Sequence, residues 1–149
     1  MGEMSAVDVA KYFLAKTADE EMGDAITNLK LQKLLYYAQG IHLALHDKPL
    51  FDERIEAWTN GPVIPDVYSH YKEHGKNALP AEDIDDSKYT DEIKEVLEEV
   101  YEVFGQYSAW KLKTMTADEP PWSNTTRAEI INHERLKEYF KTIVSSDEE

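Results

Sequence analysis

Apolar residues recur at spacings of three and four through most of the chain. Several of the helices this spacing predicts open on the same two signals, a side-chain N-cap and an apolar pair bracketing it. Ser5 opens a helix to about Ala18, with Asp8 at the capping-box position, Met4 packing toward Val9, and Val9, Tyr12 and Phe13 as the inner stripe. Thr27 caps the next, with Ile26 stapled to Leu31, and Leu31, Leu34, Leu35, Ala38, Ile41 and Leu45 carry it to near His46. Tyr36, Tyr37, Leu43 and Ala44 fill its other faces. A helix apolar nearly all round is buried on several sides, so this one is expected at the centre.

Beyond it, Asp47 to Pro49 turns the chain, and the alternation Ile55, Ala57, Thr59 predicts a short strand. Asn60-Gly61-Pro62 makes a sharp turn, because Gly61 can take a positive φ and Pro62 cannot continue a ladder. A third helix starts near Pro65, uses Val67, Tyr68 and Tyr71, and stops at Gly75. After an acidic loop over 77–87, Thr90 caps a fourth helix with the stripe Ile93, Val96, Leu97, Val100, Tyr101 and Phe104. Ser108 caps a short fifth, with Tyr107 and Leu112 as its staple. The stretch from Ala117 to Thr126, with Pro120, Pro121 and Trp122, reads as a loop. Asn132 caps the last helix, which turns Leu136, Tyr139, Phe140, Ile143 and Val144 inward. The expectation is a mostly α, single compact domain of about six helices around a buried central helix, with room for one short β-hairpin. The domain is drawn over 1–144, with 145–149 as an acidic, disordered tail. Its core is expected at Leu31, Leu34, Leu35, Ala38 and Ile41, surrounded by Leu97, Val100, Leu136 and Phe140.

Composition narrows the function. The 149 residues include 16 Lys and Arg against 30 Asp and Glu, a net charge of −14, which has the wrong sign for phosphate neutralisation and disfavours nucleic acid as a partner. With no cysteine there is no thiol nucleophile, disulfide framework or thiolate metal site. The longest apolar runs are a few residues, and the first eighteen lack the basic start and apolar centre of a secretion signal, so a cytoplasmic protein without a membrane segment is expected.

Candidate chemistry is sparse. His42 with His46 and His70 with His74 have the spacing of four that puts two imidazoles on one side of a helix, the raw material of a metal-dependent hydrolase. Neither pair is H-E-x-x-H. Both lie in final helical turns, where a protonated histidine complements the helix dipole without any ligand, and that reading is preferred. Asp83, Asp85 and Asp86 lack the turn glycine and the twelfth-position glutamate of an EF-hand, where Lys94 stands instead, so they read as a solvated loop. No G-x-S-x-G elbow or glycine-rich phosphate loop is present, and no enzymatic activity, metal or cofactor is expected. Trp58 and Trp122 stand apart from the helix stripes, each in or beside a proline-containing turn. Large aromatics so placed pin a loop to the core or anchor a partner.

Three motifs then fall into order: L-Q-K-L-L-Y-Y-A-Q at Leu31 to Gln39, A-W-T-N-G-P-V at Ala57 to Val63, and P-P-W at Pro120 to Trp122. Together they resemble the Panacea domain, the family of SocA-like antitoxins and phage-associated GepA-like proteins, over roughly Val7 to Phe140. The resemblance implies a helical domain that binds a cognate protein toxin, either neutralising it directly or acting as an adaptor that delivers it to a protease. A phage-encoded protein binding a host factor is the alternative within the same family. Many relatives carry Thr-His shortly before the tryptophan, where this chain has Thr116-Ala117. An acidic domain can cover a basic groove on a toxin, and the candidate partner-binding residues are Trp58, Asn60, Gly61, Pro62, Tyr68, Tyr71 and Trp122.

Overall fold

A computed structural model describes residues 4–17 and 25–146. Seven α-helices and one two-stranded antiparallel sheet occur among the described residues. The helices are α1 (Ala6–Thr17), α2 (Asn28–His46), α3 (Pro65–His70), α4 (Asp91–Phe104), α5 (Ala109–Ala117), α6 (Pro120–Ser123) and α7 (His133–Ser146). Strands β1 (Glu56–Trp58) and β2 (Gly61–Val63) form a hairpin between α2 and α3.

The capping residues act as the sequence suggests. Ser5 Oγ accepts from Asp8 N–H, Thr27 Oγ1 from Lys30 N–H, Thr90 Oγ1 from Ile93 N–H, Ser108 Oγ from Lys111 N–H and Asn132 Oδ1 from Arg135 N–H, all at 2.9–3.2 Å. Each satisfies an amide that the first helical turn leaves without a partner. Two local differences appear. Residues 120–123, expected as loop, form the one-turn α6, because Pro120 occupies the position where a missing N–H costs nothing. The third helix ends at His70 and continues after Tyr71 as a 3₁₀ turn over Lys72–His74, so His70 and His74 do not share one regular helix. The last helix runs through Ser146, and residues 147–149 of the expected tail lie outside the described residues.

Helix α2 is the centre of the fold, and its most extensive packing is against α7. Leu31, Leu34, Leu35, Ala38 and Ile41 are buried, with Leu97, Val100, Leu136 and Phe140 in the same core. The two helices approach closely at Gly40, where a Cβ would stand 2.1 Å from the Phe140 ring. That ring also meets Tyr36 and Tyr37 edge-on, and Tyr37 stacks on Phe104 with centroids 3.8 Å apart.

Unexpectedly, the polar residues of α2 are buried too. Asn28, Lys30, Gln32, Lys33, Gln39 and His42 are all within the protein, and they share a common use: each ties α2 to the backbone or side chain of another segment or of its own turn. Gln39 accepts from Leu50 N–H and donates to Phe51 C=O, both at 2.7 Å. Lys30 Nζ donates to the Gly105 carbonyl at 2.7 Å. Buried polar groups are tolerable when so satisfied, and here they fix loops onto the central helix.

Candidate functional site

The hairpin is held from beneath by α2. Gln32 Oε1 accepts from Ile64 N–H at 2.8 Å, Asn28 Nδ2 donates to the Tyr68 carbonyl at 3.1 Å, and Lys33 Nζ donates to the Pro62 carbonyl at 3.1 Å. Burial lowers the Lys33 ammonium to a pKa of about 7, and nearby Lys113 adds to the effect. Gly61 has φ +110°, the positive value the turn requires, and its missing Cβ leaves room for Lys33 Cε. Pro62 faces Ala57, whose N–H and C=O both turn outward, to Glu129 C=O and Ala128 N–H at 3.0 and 2.7 Å. The proline therefore breaks no ladder bond.

Residues 127–131 thus run along the open edge of β1, with Ile131 N–H donating to Ile55 C=O at 2.8 Å. Trp122 joins this segment to the hairpin. Its Nε1 donates to the Trp58 carbonyl at 2.8 Å, its ring lies under the Arg127 guanidinium at 3.6 Å, and Arg127 Nη2 donates to its carbonyl at 3.0 Å. Trp58 packs edge-on against Tyr68 with centroids 5.2 Å apart, and its Nε1 donates to Glu56, which Arg54 also holds. Those two donors keep the Glu56 carboxyl below its ordinary range. Between hairpin tip and edge lies an open depression of about 330 Å³ lined by Trp58, Thr59, Asn60, Arg127 and Ala128. Ala128 has φ +72°, a strained conformation for a residue with a side chain.

The seven sequence-nominated residues fall into two groups. Trp58, Asn60, Tyr68 and Trp122 reach the surface in full or in part, whereas Gly61, Pro62 and Tyr71 are buried and shape the hairpin and α3 from within. Arg127 and Ala128 complete the depression, and the periodicity of the sequence carries no signal for either. Trp110, on α5, is 70% exposed, and the sequence carries no signal for it because it follows a cap instead of a turn proline. Behind the hairpin, Tyr36 and Tyr37 each donate a phenol proton to Glu119, at 2.8 Å. Burial raises the Glu119 carboxyl despite those bonds. It also raises both phenols.

The buried polar groups of the helical scaffold thus position one hairpin beside a surface of tryptophan, tyrosine and arginine. The chain belongs to the family described as antitoxin SocA-like, Panacea domain, whose sequence model matches residues 31–123. It is similar to Antitoxin SocA of Caulobacter vibrioides (strain NA1000 / CB15N), at 36% identity over 126 residues. That similarity covers 76% of this chain and 66% of the relative, so the chain spans just under two thirds of the relative's length. No solved structure matches it significantly. No helix among the described residues is long and apolar enough to cross a membrane.

Proposed function

We propose that this protein is an antitoxin that neutralises a cognate protein toxin by binding it directly, with the depression at the hairpin tip as the contact centre. Membership of the SocA-like family supports the antitoxin role. The observation that carries the choice of surface is the Trp122 bridge, which fixes Trp58 and Arg127 before any partner arrives. Tryptophan, tyrosine and arginine dominate interface hot spots, and prior fixation removes much of the ordering cost of association. Strain at Ala128 fits the same reading, because strained backbone collects at binding sites. The net charge of −14 acts at longer range, steering a toxin with a basic surface toward the domain.

The test is the association of the purified protein with the product of the reading frame beside its own. A stoichiometric complex is expected, with an association rate that falls as salt rises from low levels toward physiological strength, where the Debye length is about 8 Å. Trp58→Ala and Arg127→Ala should weaken it, and Trp110→Ala, outside the depression, should not. Wild-type affinity in both depression variants would put the contact elsewhere.

A further inference from the structure

The histidines at the end of α2 meet a residue from the start of α4, far along the sequence. Glu92, in the first turn of α4, brings Oε1 to 3.5 Å from His46 Nδ1 and 4.0 Å from His42 Nε2. The three donor atoms lie within 4.8 Å of one another. His42 is fully buried and its orientation is fixed: Nδ1 donates to the Lys48 carbonyl at 2.8 Å, which places the proton on Nδ1 and leaves the Nε2 lone pair on the side of Glu92. A backbone carbonyl holding the far nitrogen of an imidazole is the usual support of a metal-ligating histidine.

We propose that His42, His46 and Glu92 form a binding site for a divalent transition-metal ion of the zinc type, clamping the C-terminal turn of α2 to the first turn of α4. Two imidazoles and one carboxylate are the donor set of zinc, cobalt and nickel; calcium and magnesium take mostly oxygen and would find one carboxylate here. Metal–ligand bonds of about 2.0–2.1 Å in tetrahedral geometry put donor atoms about 3.3 Å apart. His46–Glu92 already matches that spacing, and the longer His42–Glu92 separation closes by movement of Glu92, whose side chain is 43% exposed. A tetrahedral ion held by these three donors takes its fourth ligand from water or from a partner. Lys48 Nζ stands 3.9 Å from the same Glu92 oxygen, and an incoming cation displaces that ammonium.

Zinc titrated into the full-length, chelator-stripped protein, followed by competition with a chromophoric chelator, tests the site. One equivalent per chain is expected. His46→Ala and Glu92→Gln should each weaken binding by about tenfold or more, since even supporting residues of metal sites count for that much. Lys48→Ala should tighten it, because it removes the competing cation and keeps the backbone carbonyl that orients His42. Cobalt supplies a second readout, a visible absorption band present in the wild type and lost in both ligand variants. Circular dichroism checks that these variants stay folded, and both change partly exposed side chains. Absence of one-to-one binding, or zinc retained equally by both ligand variants, overturns the proposal.

Discussion

Lys33 lies wholly inside the protein, donating to the Pro62 carbonyl at 3.1 Å, and its Cε fills the space 2.7 Å from where a Cβ on Gly61 would stand. Helix and hairpin are therefore matched at one point: the glycine permits both the positive φ and the lysine, and the lysine satisfies the carbonyl that the turn buries. The tip carrying Trp58 and Asn60 takes its position from this contact.

Gly61→Ala should consequently destabilise the protein by about 1–3 kcal/mol, since the new methyl is strained at φ +110° and meets a side chain that burial prevents from yielding. The urea midpoint measures this. A change of less than about half a kcal/mol would mean that the hairpin does not depend on the glycine.

Lys33 also sets a pH dependence whose sign follows from its lowered pKa. Below about pH 7 it is protonated both folded and unfolded, and it adds no slope. From about 7 to the ordinary 10.5, the unfolded chain holds a proton that the folded chain has released, so stability rises with pH. Near pH 10 the direction reverses, because Tyr36 and Tyr37 keep their protons in the folded protein while unfolded tyrosines ionise. Urea midpoints at pH 7, 8 and 9 should climb in the wild type and climb less in Lys33→Met. Equal slopes would assign the rise to other groups.

The sequence made the helices and their caps legible because periodicity and capping chemistry are local. Thr27, Thr90, Ser108 and Asn132 cap as expected, and the alternation of Ile55 and Ala57 marks the strand. Buried Lys30, Lys33 and Gln39 were not legible, since their partners, Gly105, Pro62, Leu50 and Phe51, are set by tertiary docking. Hydropathy alone would place such residues at the surface. For the same reason the motif residues Trp58 and Trp122 were visible as candidates, and the Arg127 and Ala128 that frame the depression were not.

Tyr36, Tyr37 and Glu119 form a coupled unit. Tyr36→Phe should cost about 1–3 kcal/mol, the range for leaving a buried acceptor without its donor. The loss should shrink in a Glu119→Gln background, and a double-mutant cycle reads the difference. Additive losses would show that the phenol and the carboxylate act separately.

Leu35→Ala, at the fully buried middle of α2, should cost about 2–5 kcal/mol in the same assay. A loss below about half a kcal/mol would be incompatible with α2 as the centre of the core.

Direct neutralisation is tested most sharply by growth of cells expressing the product of the neighbouring reading frame together with this protein, in hosts with and without their ATP-dependent proteases. Rescue should be equal in both hosts and should be lost with folded Trp58→Ala or Arg127→Ala. Rescue that requires a protease would make the protein an adaptor, and toxicity undiminished in either host would contradict the antitoxin role itself.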